Sequence, residues 1–283
     1  MIFKKKSKFS EIFLRFVVHI TAIVSCLSLL SIVFYVLLNG ISKINLEFLI
    51  NSYSEMSGAP KGILPMIINT FYIVFITMII SLPIGLGTAI YTTQYAKSKK
   101  FKRIISFSSD ILAGIPSITF GLFGYSIFCS RFQLGTSILA GCLTMAICVL
   151  PTLVRTSEEA LNNVPSDYKE ASVALGATKL RTIFAVVIPS AMPEILTAIS
   201  LCIGKILGES AVLLYTVGMS YSMPKGPISH IFASGRTLTL HLYQTSRQAN
   251  TSDSISICFA TATVLMIIIA LLNFLSMLLY KKN

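Results

Sequence analysis

The sequence has few charged residues and no tryptophan. Only 12% of its 283 residues are charged, 54% are hydrophobic, and the mean hydropathy is +0.78. Soluble domains average about 25% charged residues, and disordered chains combine low hydrophobicity with high net charge. The composition therefore excludes both classes and indicates an integral membrane protein in contact with lipid. Without Trp, any aromatic belt at the membrane interfaces depends on Tyr and Phe.

Residues that bind metals or catalyse reactions are also sparse. The six cysteines lie in apolar stretches without CxxC spacing or a nearby histidine, so we expect free thiols. No G-x-x-x-x-G-K-[ST] sequence occurs, so ATP hydrolysis by this chain is not expected. His230 and His241 lie in a polar segment without companion ligands, and we expect both to be solvated. We predict no cofactor, no metal site and no catalytic residue.

Six apolar runs are long enough to cross a membrane, which needs about 20 residues for 30 Å of hydrocarbon. They lie near residues 12–38, 63–91, 104–128, 134–154, 183–217 and 255–280. The first run follows several lysines, as in a signal peptide, but its apolar core is too long and no cleavage site follows. We predict an all-α membrane protein in which residues 1–283 form one six-helix transmembrane bundle.

Lysine and arginine are distributed unevenly among the predicted loops. Most of them fall in residues 1–15, 96–103, 155–182 and the C-terminal tail. Because cytoplasmic loops carry an excess of these residues, both termini and a loop at 156–182 are predicted to be cytoplasmic. The loop at 218–253 is then extracytoplasmic. The cations at 97–103 satisfy the same rule, so we assign no nucleic-acid binding to them.

The loop at 156–182 contains the signals of a short helix. Ser166 follows Pro165 and is a good N-cap, and Gly176 is placed to end the helix in a left-handed C-cap. We therefore predict a helix over 167–175. Four residues share its small, mostly apolar face: Tyr168, Ala171, Ser172 and Leu175. A helix of about nine residues is unstable alone in water, so we expect it to contact the bundle or another protein.

The same loop carries a motif with fixed spacing. Seven positions form it: Glu170, Ala171, Ser172, Gly176, Val186, Ile188 and Pro189. The pattern resembles the EAA loop of ABC importer permeases, which reads Glu-Ala-Ala, three residues, Gly, nine residues, Ile-x-Leu-Pro. The spacing matches throughout, the departures are conservative, and Pro189 is expected to mark the start of the fifth span. In that family the loop forms a coupling helix that docks on the ATP-binding subunit.

Three further segments narrow the resemblance. Gly-Ile-Leu-Pro at 62–65, Leu-Ala-Gly-Ile-Pro-Ser at 112–117 and Gly-Lys-Ile-Leu-Gly-Glu at 204–209 resemble PstA-type permeases of phosphate ABC importers. The resemblance implies a type I ABC importer permease for inorganic phosphate in a bacterial inner membrane. Its implied partners are an ABC ATPase subunit, a second homologous permease of the PstC type in a heterodimer, and an extracytoplasmic phosphate-binding protein.

Ionisable residues in the predicted spans are candidates for the translocation path. Lys205 and Glu209 are spaced to share one helix face and pair, and each charge at the bilayer centre costs about 2.5–3.5 kcal/mol. Either the pair only orients the helix, or Lys205 is a positively charged station on the path of the anion. In the second case Glu209 adjusts how tightly Lys205 binds the anion. The resembling family usually has Arg at position 205, and Lys keeps the charge without the bidentate fork. Arg155 is a second candidate station, or a residue that sets topology or contacts lipid.

Three other functions compete with this interpretation. A permease for another oxyanion stays open, because only the resemblance indicates phosphate. A secondary transporter independent of an ATPase predicts internal repeats, and we find none in the sequence. An intramembrane enzyme would need a nucleophile with a base, or a metal pair, inside the spans. Copurification with an ATPase separates the importer from the secondary transporter.

Overall fold

The computed structural model describes residues 8–52, 62–221, 223, 226, 228–248 and 252–282. Within these ranges the protein is helical and has no β-strand. In chain order the α-helices are α1 Lys8–Ile41, α2 Leu46–Ile50, α3 Leu64–Ile90, α4 Lys99–Gly114, α5 Ser117–Gly124, α6 Ile138–Asn162, α7 Ser166–Ala174, α8 Lys179–Thr182, α9 Ile188–Gly208, α10 Ala211–Thr216, α11 Leu238–Arg247 and α12 Ser252–Lys282. π-helical turns follow α3, α5 and α8, at Tyr91–Tyr95, Tyr125–Arg131 and Ile183–Val187, and a 3-10 turn covers Ser229–Phe232.

The all-α membrane architecture is confirmed. In the part of the chain that the structure describes, five helices are long and apolar enough to cross a membrane, or six if one bent pair counts as a span. The five are Glu11–Ile41, Leu64–Tyr95, Ile138–Asn162, Lys179–Gly208 and Asp253–Leu275.

The predicted run at 104–128 is not one straight helix. Lys99–Gly114 and Ser117–Arg131 pass the length and hydropathy test only together, and they are bent by 98°. Pro116 has no backbone N–H and favours extended backbone in the residue before it; accordingly, Ile115 has a ψ of 130°. The apolar composition of the run hides this break.

The predicted run at 183–217 also differs from the structure. Its helix begins at Lys179 and ends at Gly208, and the short α10 is separate. Pro189 lies in the first turn of α9, as expected, but α9 follows a π-helical turn without a break, so the span already begins at Lys179. A π turn shifts the hydrogen-bond pattern by one residue, which lets the helix accommodate a proline that lacks an N–H.

α6 is the central helix of the bundle. It packs against α3 and α9, and 67% of its most apolar stretch is buried inside the protein. Cys142, Met145 and Val149 of α6 are fully buried, in a cluster with Ile73 of α3 and Cys202 of α9. All six cysteines are free, as predicted.

α1 lies at the edge of the bundle and packs on α12. The rings of Tyr35 and Phe259 meet edge to face at 5.5 Å, and the Thr263 hydroxyl donates to the Val36 carbonyl at 3.2 Å. Gly40 permits this contact, because a Cβ there would lie 2.1 Å from the Thr263 Oγ1. The remaining surface of α1 is mostly exposed and apolar, which suits a helix surrounded by lipid.

Candidate functional site

The loop at 156–182 folds into α7 and α8, and α7 begins one residue earlier than predicted. Pro165 rather than Ser166 is its N-cap, with φ −55° and ψ 138°. The Pro165 carbonyl accepts the Tyr168 N–H at 3.3 Å. Ser166 is therefore the first helical residue, so the predicted side-chain cap is not formed.

The end of α7 is a complete C-cap at the predicted glycine. Gly176 has a φ of +82°, and its N–H donates to the Val173 carbonyl at 2.9 Å. The Ala177 N–H donates to the Ser172 carbonyl at 3.1 Å. These two bonds form a Schellman motif, which requires the left-handed conformation that glycine adopts without strain.

Side-chain contacts attach α7 and α8 to the bundle. The Ser172 and Thr182 hydroxyls are hydrogen-bonded at 3.0 Å, and Thr182 is buried. The Lys179 ammonium lies over the ring of Tyr95, 4.6 Å from its centroid, where the face of an aromatic ring attracts a cation. Ser172 therefore faces the protein, while Glu170 remains exposed.

The loop also exposes large apolar side chains. Five large hydrophobic side chains are exposed on α7, α8 and the residues beside them, and we call them the loop patch: Tyr168, Val173, Leu175, Leu180 and Phe184. Leu175 is 89% exposed. Exposed large apolar side chains are available to contact another protein or lipid.

Lys205 and Glu209 do not form the predicted pair. α9 ends at Gly208, and Glu209 follows with extended backbone, so the two side chains do not share a helix face. The Lys205 ammonium donates to the Cys148 carbonyl of α6 at 3.0 Å. The Glu209 carboxylate instead accepts the first two N–H groups of α10, at 2.9 and 3.4 Å. The expectation of an i, i+4 pair is wrong because the helix ends between the two residues.

The break between α9 and α10 lies against α5, which itself begins at a break. A Cβ at Gly121 would lie 2.9 Å from the Ala211 carbonyl, so α5 and α10 meet backbone to backbone. A Cβ at Gly124 would lie 2.1 Å from the Thr144 Oγ1 of α6. Interrupted helices at membrane depth occur where protein or a water-filled cavity surrounds them, so these breaks mark an interior region.

Arg155 is held by two carboxylates. Its guanidinium lies 3.3 Å from Asp110 of α4 and 3.6 Å from Glu159 of α6, and its side chain is 67% exposed. Along α6 it is seven residues from Cys148, about 10 Å at 1.5 Å per residue. Its charge is therefore locally balanced, unlike that of Lys205.

His230 and His241 are buried, contrary to the expectation of solvated side chains. They are 2% and 0% exposed, and the His230 Nε2 lies 2.5 Å from the Asn69 Oδ1. Burial lowers the pKa of both imidazoles, that of His241 to about 3 with a further contribution from the Arg236 charge. Both rings are therefore neutral at pH 7. No group of three His, Cys, Asp or Glu in the described residues could hold a metal ion.

Residues 228–248 pack into the bundle rather than over it. The Thr70 hydroxyl of α3 accepts the Leu238 N–H at 3.0 Å, and the Thr239 hydroxyl donates to the Leu207 carbonyl in the last turn of α9 at 2.7 Å. Arg236, which sequence reasoning missed as a site residue, is only 4% exposed. Its contacts are with residues far away in sequence or across a turn, so no local pattern could have identified it.

Comparison with known proteins identifies the family. Residues 81–282 match the family described as Binding-protein-dependent transport system inner membrane component. The protein is 34% identical over 261 residues to the probable ABC transporter permease protein YqgI of Bacillus subtilis (strain 168), covering 88% of each chain. It is 30% identical over 256 residues to the phosphate transport system permease protein PstA of Pasteurella multocida (strain Pm70), covering 89% of this chain and 88% of that one.

A solved structure shows the same fold. The methionine ABC transporter MetNI, in an inward-facing conformation, matches with a TM-score of 0.60 and 20% sequence identity, covering 78% of this chain and 94% of that chain. The protein therefore belongs to the binding-protein-dependent transport system inner membrane component family: it is the non-catalytic, membrane-spanning permease of an ABC importer, and works with a partner ATPase and a substrate-binding protein.

Proposed function

We propose that this permease carries inorganic phosphate, delivered by an extracytoplasmic phosphate-binding protein, as one half of a heterodimer with a PstC-type permease. The PstA relative of Pasteurella multocida supports phosphate. One observation carries the proposal at atomic scale: Lys205 is a cation at a helix break whose ammonium donates to a neutral carbonyl.

The surroundings of Lys205 support a role as an anion station. Its side chain is half-buried, and no carboxylate of the described residues forms an ion pair with it. An ammonium has three donors, and the Cys148 carbonyl takes one of them. Because a charge inside a span is costly, an uncompensated lysine there is better explained by a transient anion than by packing. Glu209 would stabilise the break between α9 and α10 by accepting the first two N–H groups of α10.

The loop patch supports coupling to the ATPase. Glu170, Ala171, Ser172 and Gly176 belong to α7 and its C-cap, and the Ser172–Thr182 hydrogen bond joins α7 to the helix that runs from Lys179 to Gly208. That helix is about 45 Å long at 1.5 Å per residue, and Pro189 and Lys205 lie within it. A displacement of α7 by the ATPase would thus travel along one continuous helix to Lys205. This arrangement requires the loop and both termini to be cytoplasmic, as the distribution of cations predicts.

Uptake by cells that lack the chain tests the phosphate assignment. Loss of radiolabelled phosphate uptake, restored by the intact chain, is the expected result, with sulfate uptake as the matched control. Loss of sulfate uptake with normal phosphate uptake would instead assign the permease to another oxyanion.

A further inference from the structure

Arg236 is a buried cation without a carboxylate partner in the part of the chain that the structure describes. Its side chain is 4% exposed, whereas the arginines that do form ion pairs there, Arg15 and Arg155, lie at the surface. A buried charge without an opposite charge is unfavourable. The retention of Arg236 in the interior therefore calls for an explanation beyond packing.

Every contact that the described residues make with the Arg236 guanidinium is with a neutral group. Nη1 donates to the Tyr221 hydroxyl, Nη2 donates to the Met219 carbonyl at 3.1 Å, and the guanidinium lies 3.9 Å from the centroid of the Tyr221 ring. Among the described residues, none accepts a hydrogen bond from the buried Nε. Burial and the Arg236 charge lower the pKa of the adjacent His241 to about 3, so this imidazole adds no positive charge beside Arg236 near neutral pH.

Arg236 is connected to the helix turn that carries Lys205. The Arg236 carbonyl accepts the side-chain N–H of Asn69 at 3.2 Å, near the start of α3, which fixes its backbone. Three residues later, Thr239 donates to the Leu207 carbonyl, two residues from Lys205. Arg236 and Lys205 are thus joined by a short, hydrogen-bonded path through the beginning of α11.

We propose that Arg236 is an anion-binding residue that receives the transported anion before it reaches Lys205. The anion's identity and direction rest on the proposed function. In the described state Tyr221 and Met219 cover the guanidinium, and both follow Gly218, whose φ is +89°. A tetrahedral oxyanion replaces these neutral acceptors with two charge-assisted hydrogen bonds on the Nε and Nη2 edge, an arrangement that arginine favours. Tyr221 and Met219 then only cover the guanidinium in the absence of an anion, and its positive charge serves to bind the anion.

Three variants separate this role from a purely structural one, in which Arg236 only stabilises the fold through Tyr221 and Met219. Arg236→Gln keeps hydrogen-bond donors but removes the charge, and we expect phosphate uptake to fall about tenfold or more at normal membrane abundance, since a charge-assisted bond contributes about 1.5–3 kcal/mol. Arg236→Lys keeps the charge and should retain more uptake than the glutamine variant. Tyr221→Phe removes the hydroxyl that accepts from the Arg236 Nη1, and should reduce abundance and uptake much less than Arg236→Gln reduces uptake.

A purely structural role of Arg236 predicts the opposite pattern. Tyr221→Phe would then impair the protein as strongly as Arg236→Gln does, and Arg236→Lys would fail to accumulate because lysine lacks the planar fork; either result overturns the inference. Normal phosphate uptake by Arg236→Gln, measured beside an active wild type, overturns the inference about Arg236 but leaves the proposed function in place. A wild-type protein without phosphate uptake overturns the proposed function as well, so the two failures are distinguishable.

Discussion

At the scale of single residues, the membrane-associated charges differ in how they are compensated. Arg155 lies between two carboxylates, Lys205 donates to a carbonyl, and Glu209 accepts backbone N–H groups of α10. Because Lys205 and Glu209 have separate partners, replacing one does not by itself leave the other without its contacts. Their contributions can therefore be measured independently.

Substitution of Lys205 tests whether the cation serves transport. We expect Lys205→Met to insert and assemble normally but to lose phosphate uptake about tenfold or more, because the anion loses a charge-assisted partner. Lys205→Arg should remain active, since it keeps the charge and adds a fork. The measurement is uptake normalised to membrane abundance.

The matched control at Glu209 is the glutamine variant. Its amide oxygen can still accept the α10 N–H groups, so Glu209→Gln should assemble normally. The double variant Lys205→Met, Glu209→Gln should remain inactive. Near-normal uptake by the double variant would show that both residues are only scaffold.

The residue scale also shows what sequence could and could not predict. Gly176 and the EAA-like spacing are local signals, and the left-handed glycine was predicted from them. The separation of Lys205 from Glu209 was missed because an apolar run does not reveal that Gly208 ends the helix. Arg236 was missed because burial depends on contacts such as that between Asn69 and the Arg236 carbonyl, 167 positions apart.

At the scale of helices, the C-cap of α7 positions the loop patch. A Cβ at Gly176 meets nothing within 4 Å, so only backbone conformation and charge limit substitution. Asp and Asn both tolerate left-handed backbone better than other residues do. We expect Gly176→Asp to weaken binding of the ATPase and reduce uptake, because its charge lies beside the apolar patch.

Gly176→Asn is the uncharged control for that variant. It should keep more ATPase binding and uptake than Gly176→Asp, as measured by copurification with the ATPase. Normal ATPase binding and transport by Gly176→Asp would contradict a docking role for α7.

The contact between α1 and α12 gives a second prediction at this scale. Gly40→Ala places a methyl group 2.4 Å from the Phe259 carbonyl oxygen, and overpacking of this kind costs about 1–3 kcal/mol. Gly87→Ala, in α3, meets open space and should be neutral or slightly stabilising. The thermal midpoint of the purified protein in detergent should fall for Gly40→Ala only; equal midpoints would show that α1 is loosely held.

The helix breaks show a similar division between predictable and unpredictable features. Long apolar runs predicted where the membrane helices lie, because hydropathy depends only on composition. The sequence allows a kink at Pro116 but does not predict the 98° bend, since prolines occur both in kinked spans and at true breaks. Which of these occurs depends on neighbouring helices, here α6 and α10.

At the scale of the whole molecule, each chain has one loop patch, so we expect each chain to bind one ATPase subunit. The resemblance to phosphate importers implies a second, homologous permease, with the path between the two bundles. We expect purification with crosslinking to recover this chain with a distinct permease. A stable homodimer that is competent for transport would contradict that assembly.

ATP-dependent phosphate uptake into proteoliposomes tests whether this permease carries phosphate past Lys205 at the expense of ATP. The vesicles contain this permease, its partner permease and the ATPase, and the binding protein is added outside. We predict that phosphate accumulates only with ATP and binding protein present, and that Lys205→Met abolishes accumulation while the complex stays intact. Accumulation driven by an ion gradient without ATP, or unchanged accumulation by Lys205→Met, would contradict it.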